Sequence, residues 1–324
     1  MKHPQKLIKI ATRSSELALW QSKWVGDRLA NVHKGLSYEL VKVGNLPVNH
    51  KDSFVKLCEE CLAHGTADLA VHSAKDLPMK TPAAMEIAAY CRRENPLDVI
   101  LFAPQFNREQ KKVKIGTASP RRRVQLMDER QDYQYSVQEL RGNITTRVEM
   151  LGNPTEDAKK FDAIVLAAAG LIRLRRTSLI SRYLTPAEMV PAAGQGALAL
   201  QCLRSREDIK QLTLPLKHKH TELCLAAERN CCQILEADCD SAVGAYAFFI
   251  DDVMHIYAMA GDLVSNKILR VFKTLQIPSL DYAVATPQAE LCGKLAADEL
   301  IAKGALDFIY KSPPQPQKTN RPQT

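Results

Sequence analysis

The chain has 324 residues, 46% of them hydrophobic and 25% charged, with a formal net charge of +8. That composition is ordinary for a soluble globular protein, at a length that accommodates two or three domains. No apolar run approaches the ~20 residues of a membrane span. With only 6% aromatics and no basic run interleaved with them, the positive charge points to an anionic small molecule rather than to nucleic acid. Nine cysteines, scattered and odd in number, read as reduced thiols rather than a disulfide framework. The start, Met1-Lys2-His3-Pro4, shows no secretory pattern, so a cytoplasmic protein is expected.

The alternating run at 7–11 predicts a strand. Ser15 and Glu16 then open a helix to about residue 32, with Leu17, Trp20, Trp24, Val25 and Leu29 on its apolar side. A second strand is expected at 38–43, then a helix capped by Asp52 or Ser53 that runs through Cys61 and stops near Gly65. The apolar run 67–71 is a buried strand ending at His72-Ser73-Ala74-Lys75-Asp76, and 86–91 is another. Strands alternating with helices predict an open α/β sheet, whose ligands bind beyond the carboxyl ends of the strands. Lys75 and Asp76 occupy that place.

Asn95-Pro96 and Ala103-Pro104 mark a break, after which a second α/β set begins. It comprises a strand at 113–116, a helix at 121–129 opened by Ser119-Pro120, and a strand at 135–138. Arg141-Gly142-Asn143 leads into a helix at 144–151, and a buried strand at 161–167 runs on to Gly170 and Arg173. A Gly-rich crossing at 191–196 precedes a strand at 197–202. Beyond Pro215 the pattern changes to a helix at 218–236, a loop holding Cys239, and a hairpin at 245–250 and 253–259. A third strand at 267–272 and a helix at 287–302 follow, and the Pro-rich tail 312–324 reads as disordered. The expected units are residues 1–92 with 197–214, 97–190, and 219–311, the last a small α+β domain.

Asp76, at a strand end beside Lys75, suits a general acid or a group that stabilises a developing cation; it equally suits a turn cap paired with Lys75. Ser119-Pro120-Arg121-Arg122 joins a helix start to two guanidinium groups, a combination suited to carboxylate or phosphate. Arg141, Asn143 and Arg147 repeat that pattern on the next helix, and Arg13 follows the first strand. The cysteine spacings match no common zinc site, so no metal is expected. Cys239 lies in a loop between Asp238 and Asp240, carboxylates that raise a thiol's pKa and suit a permanent thioether better than a free nucleophile.

Taken in order, these motifs resemble the porphobilinogen deaminase, or hydroxymethylbilane synthase, family along nearly the whole chain. The matching stretches are 10–21, 67–78, 116–122, 140–147, 162–173, 191–196, Ala227-Glu228-Arg229, and Cys239 with Gly244-Ala245-Tyr246. The resemblance implies two lobes like those of type II periplasmic binding proteins and a third domain carrying the cofactor. It implies a dipyrromethane held by a thioether at Cys239, onto which four porphobilinogens are joined head to tail with loss of ammonia, in a monomer. Arg13, Arg121, Arg122, Arg141, Arg147 and Arg173 match carboxylate-binding arginines, and Ser15 and Ser119 match hydroxyl contacts. Gly142 and Gly170 fall at cofactor positions, Asn143 at a substrate position. Lys75 matches the lysine beside the acid, and Asp76 the catalytic aspartate. Lys51 and Phe54 look like the loop lysine and aromatic.

Four departures stand near these residues. The segment before Phe54 is shorter by roughly ten residues, a reduced lid. Ala237-Asp238 replaces Gly-Gly before the cysteine, Gln201-Cys202-Leu203 replaces Glu-Cys-Arg, and Ala118 replaces a serine. The alternatives are a non-catalytic relative that binds a pyrrole polycarboxylate, or a two-lobed carrier for a small anion.

Overall fold

The computed structural model describes residues 6–43, 52–128, 133–152, 161–237 and 241–310. Lys51 and most of its shortened segment, Cys239 with its two flanking aspartates, and the tail lie outside the described residues.

In chain order the first set is β1 (Lys6–Thr12), α1 (Glu16–Val32), β2 (Leu36–Lys42), α2 (Asp52–Ala63), β3 (Leu69–Ser73) and β4 (Met85–Tyr90). The second is β5 (Asp98–Phe102), β6 (Lys112–Gly116), α3 (Pro120–Leu126), β7 (Gln134–Gln138), α4 (Ile144–Gly152), β8 (Ala163–Ala167), α5 (Ala168–Arg173) and β9 (Arg182–Tyr183). The chain then returns through β10 (Leu198–Leu203) and α6 (Glu207–Thr213). It ends with α7 (Lys219–Ile234), β11 (Val243–Ile250), β12 (Val253–Gly261), β13 (Ile268–Gln276), α8 (Tyr282–Ala302) and α9 (Ala305–Tyr310).

Two five-stranded sheets form two lobes, ordered β2-β1-β3-β10-β4 and β7-β6-β8-β5-β9. In the first, β1 runs parallel to β2 and β3, and β10 runs antiparallel to β3 and β4. In the second, β6 runs parallel to β7 and β8, and β5 runs antiparallel to β8 and β9. Each lobe's reversed fourth strand therefore arrives by a crossing from the other lobe. This is the type II periplasmic-binding-protein arrangement, and it places the ends of β3 and β8 at the cleft between lobes. Ser15 caps α1, its Oγ accepting from the Ala18 amide at 3.4 Å.

The third unit is an antiparallel sheet, β11-β12-β13, with α7 and α8 packed on one face. Small side chains let those helices close up, among them Ala227, Cys231, Ala289, Cys292 and Ala296. At Gly293 a Cβ would lie 2.1 Å from the Ala227 carbonyl oxygen. No helix among the described residues is long and apolar enough to cross a membrane.

The structure corrects the sequence reading in three places. The supposed break between the two prolines holds β5, a buried strand too short and too closely flanked by proline to announce itself. Helix α8 begins at Tyr282, where Asp281 caps it by accepting from the Ala283 amide at 3.0 Å, so Pro287 lies inside the helix rather than at its start. Helix α3 ends at Leu126, three residues before the expected end, with the Met127 amide closing the last turn onto Arg123.

Candidate functional site

Strand β3 is followed at once by a 3-10 turn, Ala74–Asp76, that sets both candidate residues at the cleft. Asp76 is half-buried and accepts no hydrogen bond from the described residues. Lys75 points to Gln195, its Nζ donating to Oε1 at 3.3 Å. Burial pushes the Lys75 ammonium down to about 8 and the neighbouring Arg122 adds to the effect, while Asp76 and Asp98 oppose it. The sequence reading and the structure thus agree on where this pair stands, and the salt-bridged cap is absent.

The arginines divide into two kinds. Arg13 lies over the ring of Phe54, 3.9 Å from its centroid, and its Nε is buried with no hydrogen-bond partner. Arg147 likewise buries an unpartnered Nε. Burial, then repulsion from Arg122 and Arg141, lowers the Arg147 guanidinium to about 10, with Asp76 opposing. Lys75, Asp76, Arg122, Arg141 and Arg147 therefore form one electrostatic neighbourhood.

Arg121, Arg122 and Arg173 are committed to protein acceptors. Arg121 Nη1 donates to Asp98 Oδ2 at 2.8 Å and to the Val190 carbonyl at 2.6 Å. Arg122 donates to Asp98 Oδ1 through Nε and Nη2, at 2.9 and 2.7 Å, and to the Val165 carbonyl at 3.0 Å. Asp98 is fully buried and held well below the usual carboxylate range by the two guanidinium groups beside it, against its own desolvation. Arg173 Nη2 donates to the Gly196 carbonyl at 2.6 Å, and burial lowers that guanidinium to about 10. The sequence-based picture of these three as open carboxylate ligands is modified accordingly. A buried carboxylate on β5 demands cationic partners, and the start of α3 supplies them. The Nε and Nη2 of Arg121 keep no partner among the described residues.

The remaining candidates have local roles. Asn143 caps α4, its Oδ1 accepting from the Thr146 amide at 2.9 Å. Gly142 precedes it at a φ of +118°, a conformation an L side chain rarely adopts. Arg141 is exposed and its Nε donates to Glu139. Ser119 heads α3 without a side-chain cap bond. Gly170 and Arg173 join Gln21, Ser73, Lys75 and Ile144 around a cavity of about 40 Å³ between the lobes.

The third unit docks against this cleft. Gly244, at the start of β11, lies so close to the second lobe that a Cβ there would be 3.0 Å from Arg121 Cδ and from the Val190 carbonyl oxygen. Buried Glu228 of α7 pairs with Arg93 at 2.5 Å and accepts from the amides of Gly194 and Ala247. Sequence reasoning missed Asp98, Arg93 and Gln195 as organising residues. Their partners are 23, 135 and 97 positions away, separations at which no local pattern operates. The free cysteines among the described residues are buried or half-buried, and no cluster of three or more metal-ligating side chains occurs there.

Comparison with known proteins gives two results. The family model described as porphobilinogen deaminase, dipyromethane cofactor binding domain, matches residues 8–211. Among solved structures, the chain is similar to the BenM effector binding domain with its effector benzoate, at 15% identity and a TM-score of 0.38, over 64% of this chain and 88% of that one. It is also similar to the methionine binding protein MetQ, at 15% identity and a TM-score of 0.37, over 64% and 88% of the two chains. YhfZ from Shigella flexneri matches at 13% identity and a TM-score of 0.36, over 68% and 87%.

Proposed function

Because the chain belongs to the porphobilinogen deaminase family, we propose that it is an active hydroxymethylbilane synthase of tetrapyrrole biosynthesis. It joins four porphobilinogens head to tail on a dipyrromethane held by a thioether at Cys239, losing one ammonia per addition. The observation that carries this reading is the pair of buried, unpartnered Nε atoms on Arg13 and Arg147, together with the unbonded carboxylate of Asp76. Leaving a buried donor unmade costs about 1–3 kcal/mol, a cost recovered when a carboxylate arrives. That donor set suits a chain of pyrroles bearing acetate and propionate groups.

Dipyrromethane, when bound, supplies the free pyrrole carbon to which the first substrate is joined. Arg13 and Arg147 hold carboxylates, and Arg121 contributes its Nε and Nη2. Asp98 fixes the two guanidinium groups of α3 so that they need not reorganise as the chain grows. Lys75, anchored on Gln195, adds a positive charge beside the acid. Asp76 gives a proton to the departing amine, so that the carbon–nitrogen bond breaks with ammonia as the leaving group. The resulting carboxylate then stabilises the positive charge left on the substrate pyrrole.

The test is bilane formation from porphobilinogen by the full chain and by Asp76→Asn. The expected result is a loss of at least about 100-fold in kcat with the fold intact. Near-normal turnover in the variant would remove Asp76 from the mechanism. The Asp98 clasp on Arg121 and Arg122 favours one rival, a relative that binds a pyrrole polycarboxylate without turning it over. Absence of bilane from the native chain would select it.

A further inference from the structure

One carboxylate of the first lobe is held across the cleft by two groups of the second, and the proposed chemistry does not use it. Glu16 opens α1. Its Oε2 accepts from Thr145 Oγ1 of α4 at 2.7 Å and from Arg176 Nη2 at 3.0 Å. The end of α5 fixes Arg176 in place. Its amide donates to the Leu171 carbonyl at 2.8 Å, and the Arg175 amide to the Ile172 carbonyl at 3.0 Å. Arg175 makes the turn between them at a φ of +56°, a place more often given to glycine. An apolar contact backs the polar one, since Leu17 Cδ2 lies 3.7 Å from where a Cβ at Gly170 would stand.

The positions of these residues in the chain give the clasp a purpose. Arg13 precedes Glu16 by three residues, and Arg147 follows Thr145 by two. These are the two guanidinium groups with buried, unpartnered Nε atoms, one on each lobe. We propose that Glu16, clasped by Thr145 and Arg176, is a positioning residue that holds Arg13 and Arg147 at one separation across the cleft, so that both bind carboxylates of the same pyrrole chain. This inference rests on the reading of those two arginines as carboxylate ligands.

Two other roles are chemically open to the pair, and they predict different signs. Glu16 also suits the positive end of α1, a role that needs no Arg176. Arg176 could itself take a substrate carboxylate, in which case Glu16 competes with the ligand. The side chains of Glu16 and Arg176 are 53% and 28% exposed, so solvent screens the pair and lets the clasp open to admit a ligand. The effect of breaking it is accordingly a few-fold rather than a loss of activity.

Hydrogen exchange of the full-length protein without substrate reads the clasp directly. Glu16→Ala should raise exchange in residues 144–147 and 170–176 of the second lobe, and Arg176→Met in residues 16–20 of the first, each by at least about twofold. Exchange that rises only on the substituted lobe would overturn the proposal. With porphobilinogen, each variant should raise KM by about threefold to fivefold with kcat within about twofold, and the double variant should be no worse than either. A silent Arg176→Met would leave Glu16 only its helix-end role. A KM that falls in Glu16→Ala and rises in Arg176→Met would make Arg176 the ligand. Either result would overturn the proposal. Should one variant fail to fold, Thr145→Val breaks the clasp from the other helix and carries the same expectation. If the native chain makes no bilane, the proposed function fails, while the exchange pattern and the Kd of porphobilinogen by calorimetry still decide the role of Glu16.

Discussion

Lys75 keeps its charge against its surroundings. Burial and the nearby guanidinium groups lower its ammonium to about 8, so it is charged below that pH and loses its proton as pH rises through it. A substrate carboxylate is therefore held less tightly on the alkaline side. We expect KM for porphobilinogen to rise between pH 7.5 and 9, and Lys75→Met to raise KM at pH 7 and flatten that rise. A KM that climbs identically in both proteins would assign the titration elsewhere. Lys75 and Asp76 were legible in the sequence because both follow directly from an apolar strand and its end. Asp98 was not, since a lone aspartate between two prolines gives no sign that two arginines more than twenty residues on will enclose it.

Among the elements, those with strong periodicity or capping came through the sequence nearly intact. Helix α1 was expected to about residue 32 and runs Glu16–Val32, with Ser15 as its cap. Strand β5 was lost because it is five residues long and pairs only with strands from later in the chain. Helix α8 was started too late because Pro287 reads as a first-turn residue, whereas the polar cap at Asp281 sets the start. The α7–α8 contact rests on Gly293 facing the Ala227 carbonyl. A methyl group there meets backbone, which cannot rotate away. Gly293→Ala should cost ~1–3 kcal/mol, read as a lower urea midpoint at unchanged slope. An unchanged midpoint would mean that the helices separate at no cost.

Across the whole molecule, two buried ion networks join the units. Asp98 holds α3 to β5 within the second lobe, and Gln195 from the crossing joins it at 3.1 Å. Arg93 and Glu228 hold the third unit against the crossing strands, with Arg93 also donating to the Gln195 carbonyl at 2.8 Å. Arg93→Ala leaves Glu228 buried without its cation, a loss of about 3–5 kcal/mol. The expected signs are a lower Tm and early proteolysis between the crossing and α7. An unchanged Tm would show that the third unit docks without this pair. The two-lobed architecture was readable from alternating strands and helices, but the ion networks close only in three dimensions.

A synthase of the kind proposed must build and use a covalent dipyrromethane. The most direct measurement is the intact mass of the protein after exposure to porphobilinogen, beside that of Cys239→Ser. The expected result is an added mass equal to one dipyrromethane on the native chain and none on the variant. A native chain that stays unmodified, or a variant that carries the same addition, would contradict it.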